Sequence, residues 1–160
     1  INGKAVKTFI EAAAQARAEG EILTGGERMT EGLFAKGTYV QPTIAKLPLN
    51  STLFERELFL PFLSLGVVSG LDEALREANK VEFGLTAGVF SAHRAEIDRF
   101  FDEIEAGVCY ANRRTGATTG AWPGVQSFCG WKGSGSTGKG GCGPYYVAQF
   151  MREQSRTIME

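Results

Sequence analysis

Three cysteines, one histidine and a stretch crowded with glycine are the features of this 160-residue sequence whose chemistry could go beyond packing. A thiolate becomes a nucleophile when a base or a positive charge lies close to it. Cys129 and Cys142 fall in the glycine-rich stretch near Lys132 and Lys139, whereas Cys109 sits in an apolar run and reads as inert interior. His93, between Ser91 and Arg94, is placed like the start of a helix and not like a general base. A Cys-His pair is therefore disfavoured, and no GxSxG elbow supports a serine nucleophile. No two cysteines have CxxC spacing and a single histidine leaves few ligands, so neither a disulfide framework nor a metal site is expected.

Gly133-Ser134-Gly135-Ser136-Thr137-Gly138-Lys139-Gly140 satisfies GxGxxG, and it satisfies GxxxxGK until Gly140, where a Walker loop needs Ser or Thr for magnesium. A dinucleotide loop must join a strand directly to a helix whose N-terminus faces the pyrophosphate, and the pattern predicts no strand before Gly133. The plainer reading is that these glycines let backbones approach one another. Glu57, within Phe54-Glu55-Arg56-Glu57-Leu58-Phe59-Leu60-Pro61, is open to two readings. It is a solvated loop carboxylate, or it accepts both protons of a vicinal diol such as a ribose, with Phe59 as the apolar wall beside it. Phe128, between Ser127 and Cys129, is either packing or the lining of a small-molecule pocket.

The elements that would position these residues follow from periodicity. Ala5 to Glu19 places Val6, Phe9, Ile10, Ala13 and Ala16 or Arg17 at three- and four-residue intervals and stops at Gly20, which predicts a helix closed by a left-handed glycine. Strands are predicted at Glu21–Thr24, Thr38–Ile44, Leu63–Val68, Leu85–Phe90 and Val108–Ala111. Pro42 pushes the second of these to a sheet edge. Helices are predicted at Leu71–Asn79, with Ser69 and Asp72 as a capping box, and at Arg94–Glu105 with Ile97, Phe100, Phe101 and Ile104 on one face. Strand and helix alternate with short joints, so the fold class is α/β, a mostly parallel sheet covered by helices. The pattern breaks at Asn112. Residues 112–143 carry ten of the 21 glycines and no apolar period, which marks a long binding loop. A short helix at Tyr145–Met151 and a final edge strand at Gln154–Met159 complete the chain.

Charge is nearly balanced, with 17 Lys and Arg against 18 Asp and Glu, but residues 1–110 hold 11 basic and 16 acidic side chains and residues 111–160 hold 6 and 2. The tail's positive charges are dispersed among glycines, which suits a local anion and gives no footprint for nucleic acid. No run approaches the roughly 18 apolar residues of a membrane span, and no signal peptide opens the sequence, so neither membrane anchoring nor secretion is expected. A sequence that begins at Ile1 and not Met is expected to be processed or cut from something longer.

Glu57-Leu58-Phe59-Leu60-Pro61, Phe83-Gly84-Leu85-Thr86-Ala87-Gly88-Val89-Phe90, Gly107-Val108-Cys109-Tyr110-Ala111-Asn112, and Gln126-Ser127-Phe128-Cys129-Gly130 with Ser134-Gly135 agree in order and spacing with one family. Together they resemble the C-terminal part of the catalytic domain of the aldehyde dehydrogenase superfamily, over nearly the whole chain. The resemblance implies that Glu57 and Phe59 bind the nicotinamide ribose of NAD or NADP and that Phe128 lines the aldehyde site. Arg56, Leu60, Ser127 and Cys129 depart from the family's usual Glu, Gly, Pro and Gly. Asn112-Arg113-Arg114 followed by Thr-Gly-Ala, and Gly140-Gly141 followed by Pro144-Tyr145-Tyr146, resemble the branch that oxidises glutamate semialdehyde, the 1-pyrroline-5-carboxylate dehydrogenases.

That branch anchors its substrate's carboxylate on backbone N–H groups of a Thr-Gly-Ala or Thr-Gly-Ser turn, where glycine admits close approach. Spacing to Gln126 favours Thr119-Gly120-Ala121, which makes Gly120 and Ala121 substrate-binding residues. Proximity to Asn112 favours Thr115-Gly116-Ala117, and Arg113 with Arg114 forms a third candidate as a carboxylate clamp. The family's nucleophilic Cys, general-base Glu and dinucleotide-binding domain precede this segment, so no catalytic residue is expected in it and the chain alone is expected to be inactive. The resemblance further implies a single partial catalytic domain over 1–160, a cytoplasmic homo-oligomer, and an aldehyde carrying a carboxylate as the small-molecule partner. The parent reaction would be thiolate attack on the aldehyde, hydride transfer to the nucleotide and thioester hydrolysis. The alternatives are an aldehyde dehydrogenase of other specificity, or a binding and assembly module whose last strand pairs with a neighbour's sheet edge.

Overall fold

The computed structural model describes residues 2–115, 121–122, 124–135 and 139–160, and the chain divides after Val81 into two compact units. The fold class is α/β with mixed sheets.

In the first unit, helix α1 (Gly3–Glu19) starts where Asn2 accepts the Ala5 N–H on Oδ1 at 2.9 Å. Its buried stripe is Val6, Phe9, Ala12, Ala13 and Ala16, while Ile10, expected inside, is 50% exposed because Ala12 takes the inner position. Gly20 ends the helix in an extended conformation, φ −160°, and not the left-handed one expected. Its glycine answers a different need: a Cβ there would collide with the Lys46 carbonyl.

The strands are β1 (Glu21–Thr24), β2 (Arg28–Met29), β3 (Tyr39–Val40), β4 (Thr43–Lys46) and β5 (Phe62–Leu65). Their main sheet has the order β1-β4-β5, antiparallel then parallel, and β2 pairs antiparallel with β3. The strand expected over Thr38–Ile44 is thus two strands. Between them Pro42 lacks an N–H, and buried Thr43 turns its hydroxyl to backbone on two segments, accepting from Gly26 N–H at 2.8 Å and donating to the Gln41 carbonyl at 2.9 Å. Apolar α1 residues pack with Val40, Ala45, Leu47 and Leu53, and Phe9 is fully buried edge-on to Phe62 at 6.3 Å.

Helix α2 (Leu71–Asn79) has the expected bounds but another cap. Gly70 is the N-cap, and Ser69 donates from N–H and Oγ to Oε2 of Glu73, at 2.7 and 2.9 Å. Asp72 is the partner expected for a cap at Ser69; with the N-cap at Gly70 the reciprocal position, three residues on, is Glu73. The Ser69 bonds hold the Glu73 carboxyl below its ordinary pKa.

In the second unit, β6 (Phe83–Gly84) precedes a β-α-β unit made of β7 (Thr86–Val89), α3 (Arg94–Glu103) and β8 (Val108–Ala111), with β7 and β8 parallel in the register Thr86↔Val108 to Val89↔Ala111. Helix α3 ends two residues earlier than expected and buries Phe100, with Ile104 and Ala106 buried just beyond it. Strand β9 (Trp131–Lys132) pairs antiparallel with β6, and a 3₁₀ turn covers Val147–Phe150. The expectation of a mostly parallel sheet is corrected here: only β4-β5 and β7-β8 are parallel among the described pairs. The final strand expected at Gln154–Met159 is not a strand in this chain, since residues 151–160 have no secondary structure and Ile158 and Met159 are each 90% exposed. A strand exists only against a partner, and this segment has none within the described residues.

Candidate functional site

Glu57 stands in the loop from β4 to β5, and that loop is fastened on the side where it begins. Ser51, 4% exposed, donates from Oγ to Oε2 of Glu19 at 2.5 Å and accepts the Leu53 N–H at 3.3 Å. Gln15 Nε2 donates to Glu19 Oε1 at 2.8 Å and to Thr52 Oγ1 at 3.0 Å. The Ser51 bond, then the Gln15 bond, holds the Glu19 carboxyl below its ordinary pKa. From β5, Ser64 Oγ donates to the Leu53 carbonyl at 3.1 Å. The last carboxylate of α1 and a hydroxyl of β5 therefore fix where the loop sets out.

Beyond these anchors the chain presents Glu57 and Phe59. The Glu57 side chain is exposed, and among the described residues no hydrogen bond or ion pair engages its carboxylate. Phe59 is 89% exposed and has φ 55°, a backbone region that costs a side-chain-bearing residue roughly 1–2 kcal/mol. A strained backbone and a ring open to water each lower stability, and such backbone outliers cluster at ligand sites. Glu57 and Phe59 line one cavity of about 320 Å³, floored by Leu53, Phe54 and Phe62. A cavity of about 750 Å³ by β2, lined by Met29, Leu33 and Phe34 among others, contains no residue singled out from sequence.

In the second unit the Phe128 N–H donates to the Gly141 carbonyl at 2.7 Å, and Phe128 is 39% exposed. A Cβ on Gly140 would collide with the Phe128 carbonyl, one on Gly135 with that of Gly130, and one on Gly107 with that of Cys129. These glycines bring backbone against backbone, as the plainer reading held. Strand β9 does end directly before Gly133, which corrects the expectation of no strand there. The phosphate reading gains nothing from it, because the chain folds straight back: Ser134 N–H donates to the Trp131 carbonyl at 3.0 Å, and its Oγ accepts the Gly84 N–H at 3.1 Å. Ser136 to Gly138 lie outside the described residues.

Ala121 is half-buried at one end of a clamped turn that has Phe128 at the other. Trp122 N–H donates to Gln126 Oε1 at 3.1 Å, while Gln126 N–H donates to the Trp122 carbonyl at 2.8 Å. Gly120, and the rival pair Gly116 and Ala117, lie outside the described residues. Arg113 Nε donates to the Thr115 carbonyl at 3.1 Å, so this arm of the alternative clamp is engaged with its own loop.

Two of the three thiols bond to backbone carbonyls, while Cys142 is exposed. Cys109 donates to the Ala106 carbonyl and Cys129 to the Gly107 carbonyl, each at 3.2 Å. Burial, then the neighbouring Cys129, pushes the Cys109 thiol pKa up, away from the nucleophilic thiolate. His93 is the N-cap position of α3 without a side-chain cap bond. Among the described residues no three His, Cys, Asp or Glu side chains converge on a metal position, and no helix is long and apolar enough to cross a membrane. Sequence reasoning gave no role to the side chain of Asn112, which has φ 54° and binds Ser91 through its amide. Its signal was available: asparagine at a strand end is one of the few non-glycine residues that enter the left-handed region.

The chain as a whole is similar to known proteins. A profile described as Aldehyde dehydrogenase family matches residues 1–155. The chain is 40% identical over 143 residues to a 1-pyrroline-5-carboxylate dehydrogenase of Bacillus licheniformis, covering 89% of this chain and 26% of that protein. It is 35% identical over 161 aligned positions to the enzyme of that name from Geobacillus kaustophilus, covering 100% of this chain and 29% of the other. Among solved structures, 1-pyrroline-5-carboxylate dehydrogenase from Thermus with bound NAD superposes with a TM-score of 0.77 at 33% identity, over 88% of this chain and 26% of that one. A 3,6-anhydro-L-galactose dehydrogenase in complex with NAP gives 0.81 at 28% identity, over 94% and 30%. The chain thus spans between 26% and 29% of the length of these curated relatives.

Proposed function

The chain belongs to the aldehyde dehydrogenase family, and from that premise we propose that it is part of an NAD- or NADP-dependent 1-pyrroline-5-carboxylate dehydrogenase, which oxidises glutamate semialdehyde to glutamate in proline degradation. In this reading the chain supplies the contact to the nicotinamide ribose and the contact to the aldehyde's carboxylate. The observation that carries it is the pair Glu57 and Phe59: a carboxylate without a partner among the described residues, beside an exposed ring on a strained backbone, on one cavity. Such a carboxylate suits a ribose diol, because its two oxygens accept both hydroxyl protons, and the ring keeps water from one side of the bound group. When bound, the nicotinamide supplies the hydride acceptor; Glu57 and Phe59 orient it. The relatives named for this activity support the choice of branch.

Gly120 and Ala121 would offer N–H groups to the substrate carboxylate, and Phe128 would line the aldehyde's path. Residues 112–143 would form the substrate segment of one catalytic domain that contains both compact units. The nucleophile and the general base would come from elsewhere in the full-length enzyme, a cytoplasmic protein, so the isolated chain should turn over no aldehyde. Residues 154–159, with Ile158 and Met159 exposed, would pair with a sheet edge of a second subunit. Steady NAD reduction by the pure 160-residue chain would overturn the first of these two expectations. Unchanged sedimentation of the enzyme after removal of residues 153–160 would overturn the second.

Glu57→Gln in the full-length enzyme tests the central pair. The amide keeps one acceptor and loses the charge, worth about 1–2 kcal/mol in such bonds, so the Michaelis constant for the nucleotide should rise about tenfold while that for the aldehyde holds. An unchanged nucleotide constant with unchanged turnover would remove Glu57 from the site.

A further inference from the structure

The glycine-rich segment leaves its sheet at the end of β8, and the side chain of Asn112 governs how. In a parallel ladder a residue's N–H and C=O bond the two residues that flank its opposite number. Asn112 obeys this with its N–H, which donates to the Val89 carbonyl at 2.8 Å. The next step would have the Asn112 carbonyl accept from Ser91 N–H and a later N–H donate to the Ser91 carbonyl. The side chain takes both places instead: Oδ1 accepts the Ser91 N–H at 3.0 Å, and Nδ2 donates to the Ser91 carbonyl at 2.9 Å. One amide thus stands in for a rung of the ladder while the main chain, at φ 54°, turns out of the sheet.

The anchor is itself fixed. Ser91 Oγ donates to Oε2 of Glu96 on α3 at 2.5 Å and accepts the His93 N–H at 3.0 Å, so the clamp bears on the start of that helix. Asparagine is suited to the position, since its short side chain carries a donor and an acceptor in one plane and tolerates the left-handed region. The clamp lies at the carboxyl ends of two adjacent parallel strands, the place where α/β sheets receive their ligands.

We propose that Asn112 is a positioning residue for aldehyde selection: its two bonds to Ser91 set the direction in which residues 113–115 leave β8, and thereby the placement of the substrate segment that follows. The inference rests on the reading under Proposed function for its substrate and on the Ser91 clamp for its geometry.

Three variants of the full-length enzyme test it. Asn112→Gly keeps the left-handed backbone accessible and deletes both side-chain bonds, Asn112→Ala deletes them and adds strain, and Asn112→Asp keeps the acceptor alone. The Gly and Ala variants should raise the Michaelis constant for glutamate semialdehyde about tenfold, the Asp variant less, with turnover at saturation and the constants for nucleotide and for a simple aliphatic aldehyde changing less than about twofold. Wild-type constants in Asn112→Gly, or an equal loss for both aldehydes and the nucleotide, would overturn the proposal. If the wild-type enzyme shows no preference for glutamate semialdehyde, the reading under Proposed function fails and amide hydrogen exchange decides the clamp. Faster exchange at Ser91 and at residues 113–115 in Asn112→Gly upholds it, and unchanged exchange there overturns it.

Discussion

Residues up to Val81 and residues from Glu82 onward hold their functional segments by a different balance of means, although Gly20 and Gly25 also press against carbonyls in the first. The first unit relies on side chains: Phe9, Ala13, Ala16 and Ala45 are wholly buried, and Val6, Ala12, Leu47 and Leu53 nearly so. The second buries few large apolar side chains, Phe100 and Ile104 among the described residues, and relies on missing ones, with carbonyls of Phe128, Cys129 and Gly130 in the space a Cβ would take. A side-chain core can lose atoms by degrees, whereas backbone contact through glycine tolerates no added atom. The contrast suits the proposed tasks. A firm core lets the first unit carry a strained backbone at Phe59, and a glycine-rich segment would let the second offer N–H groups at close range, as proposed.

The sharpest way to break this contrast is to delete from one unit and add to the other. Phe9→Ala in the complete polypeptide should cost about 3–5 kcal/mol in denaturant unfolding, because a fully buried ring leaves a cavity that its neighbours cannot fill. Gly107→Ala should cost about 1–3 kcal/mol by overpacking against the Cys129 carbonyl, although it adds a single methyl group. If Gly107→Ala is neutral, the second unit is not held by close backbone contact and the comparison fails.

The smallest effect sharpens the account of how the Glu57 loop is held. Glu19 has its folded pKa depressed chiefly by Ser51, so its contribution is present above the unfolded pKa and lost as pH falls through the folded one. Ser51→Ala should therefore be less stable than wild type at neutral pH and approach it in acid. Unfolding curves at both pH values check this, and a difference that stays constant into acid would show that the Ser51 hydroxyl does not act through the Glu19 carboxylate.

What could be read from sequence was local. The bounds of β1, α2 and β8 follow from periodicity and punctuation within a dozen residues, and Glu57 with Phe59 stood out because two positions along one loop suffice to suggest a diol site. What escaped depends on partners distant in sequence. The split at Pro42 reflects which neighbours β3 and β4 each find; the cap at Glu73 is a local exception, set by an N-cap at Gly70 and not at Ser69. Gly107 and Cys129 touch across a long stretch of chain that carries no period, so a glycine kept for close approach looked the same as one kept for a phosphate. Asn112 likewise acts across 21 positions on Ser91. The left-handed backbone of Phe59 has no sequence signal, since bulky residues avoid that region.

The most direct test of the functional account is the ratio of kcat/KM for glutamate semialdehyde to that for an aliphatic aldehyde of equal length without the carboxylate, measured in the full-length enzyme and in its Gly120→Val variant. The account predicts a preference of at least about a hundredfold in the wild type, because backbone donors built for a carboxylate are left unpaired by the other aldehyde. It predicts that Gly120→Val removes most of that preference by holding the carboxylate away from the N–H groups. Equal turnover of the two aldehydes by the wild type, or a preference that survives Gly120→Val and disappears in Gly116→Val or in Arg113→Ala with Arg114→Ala, would contradict it.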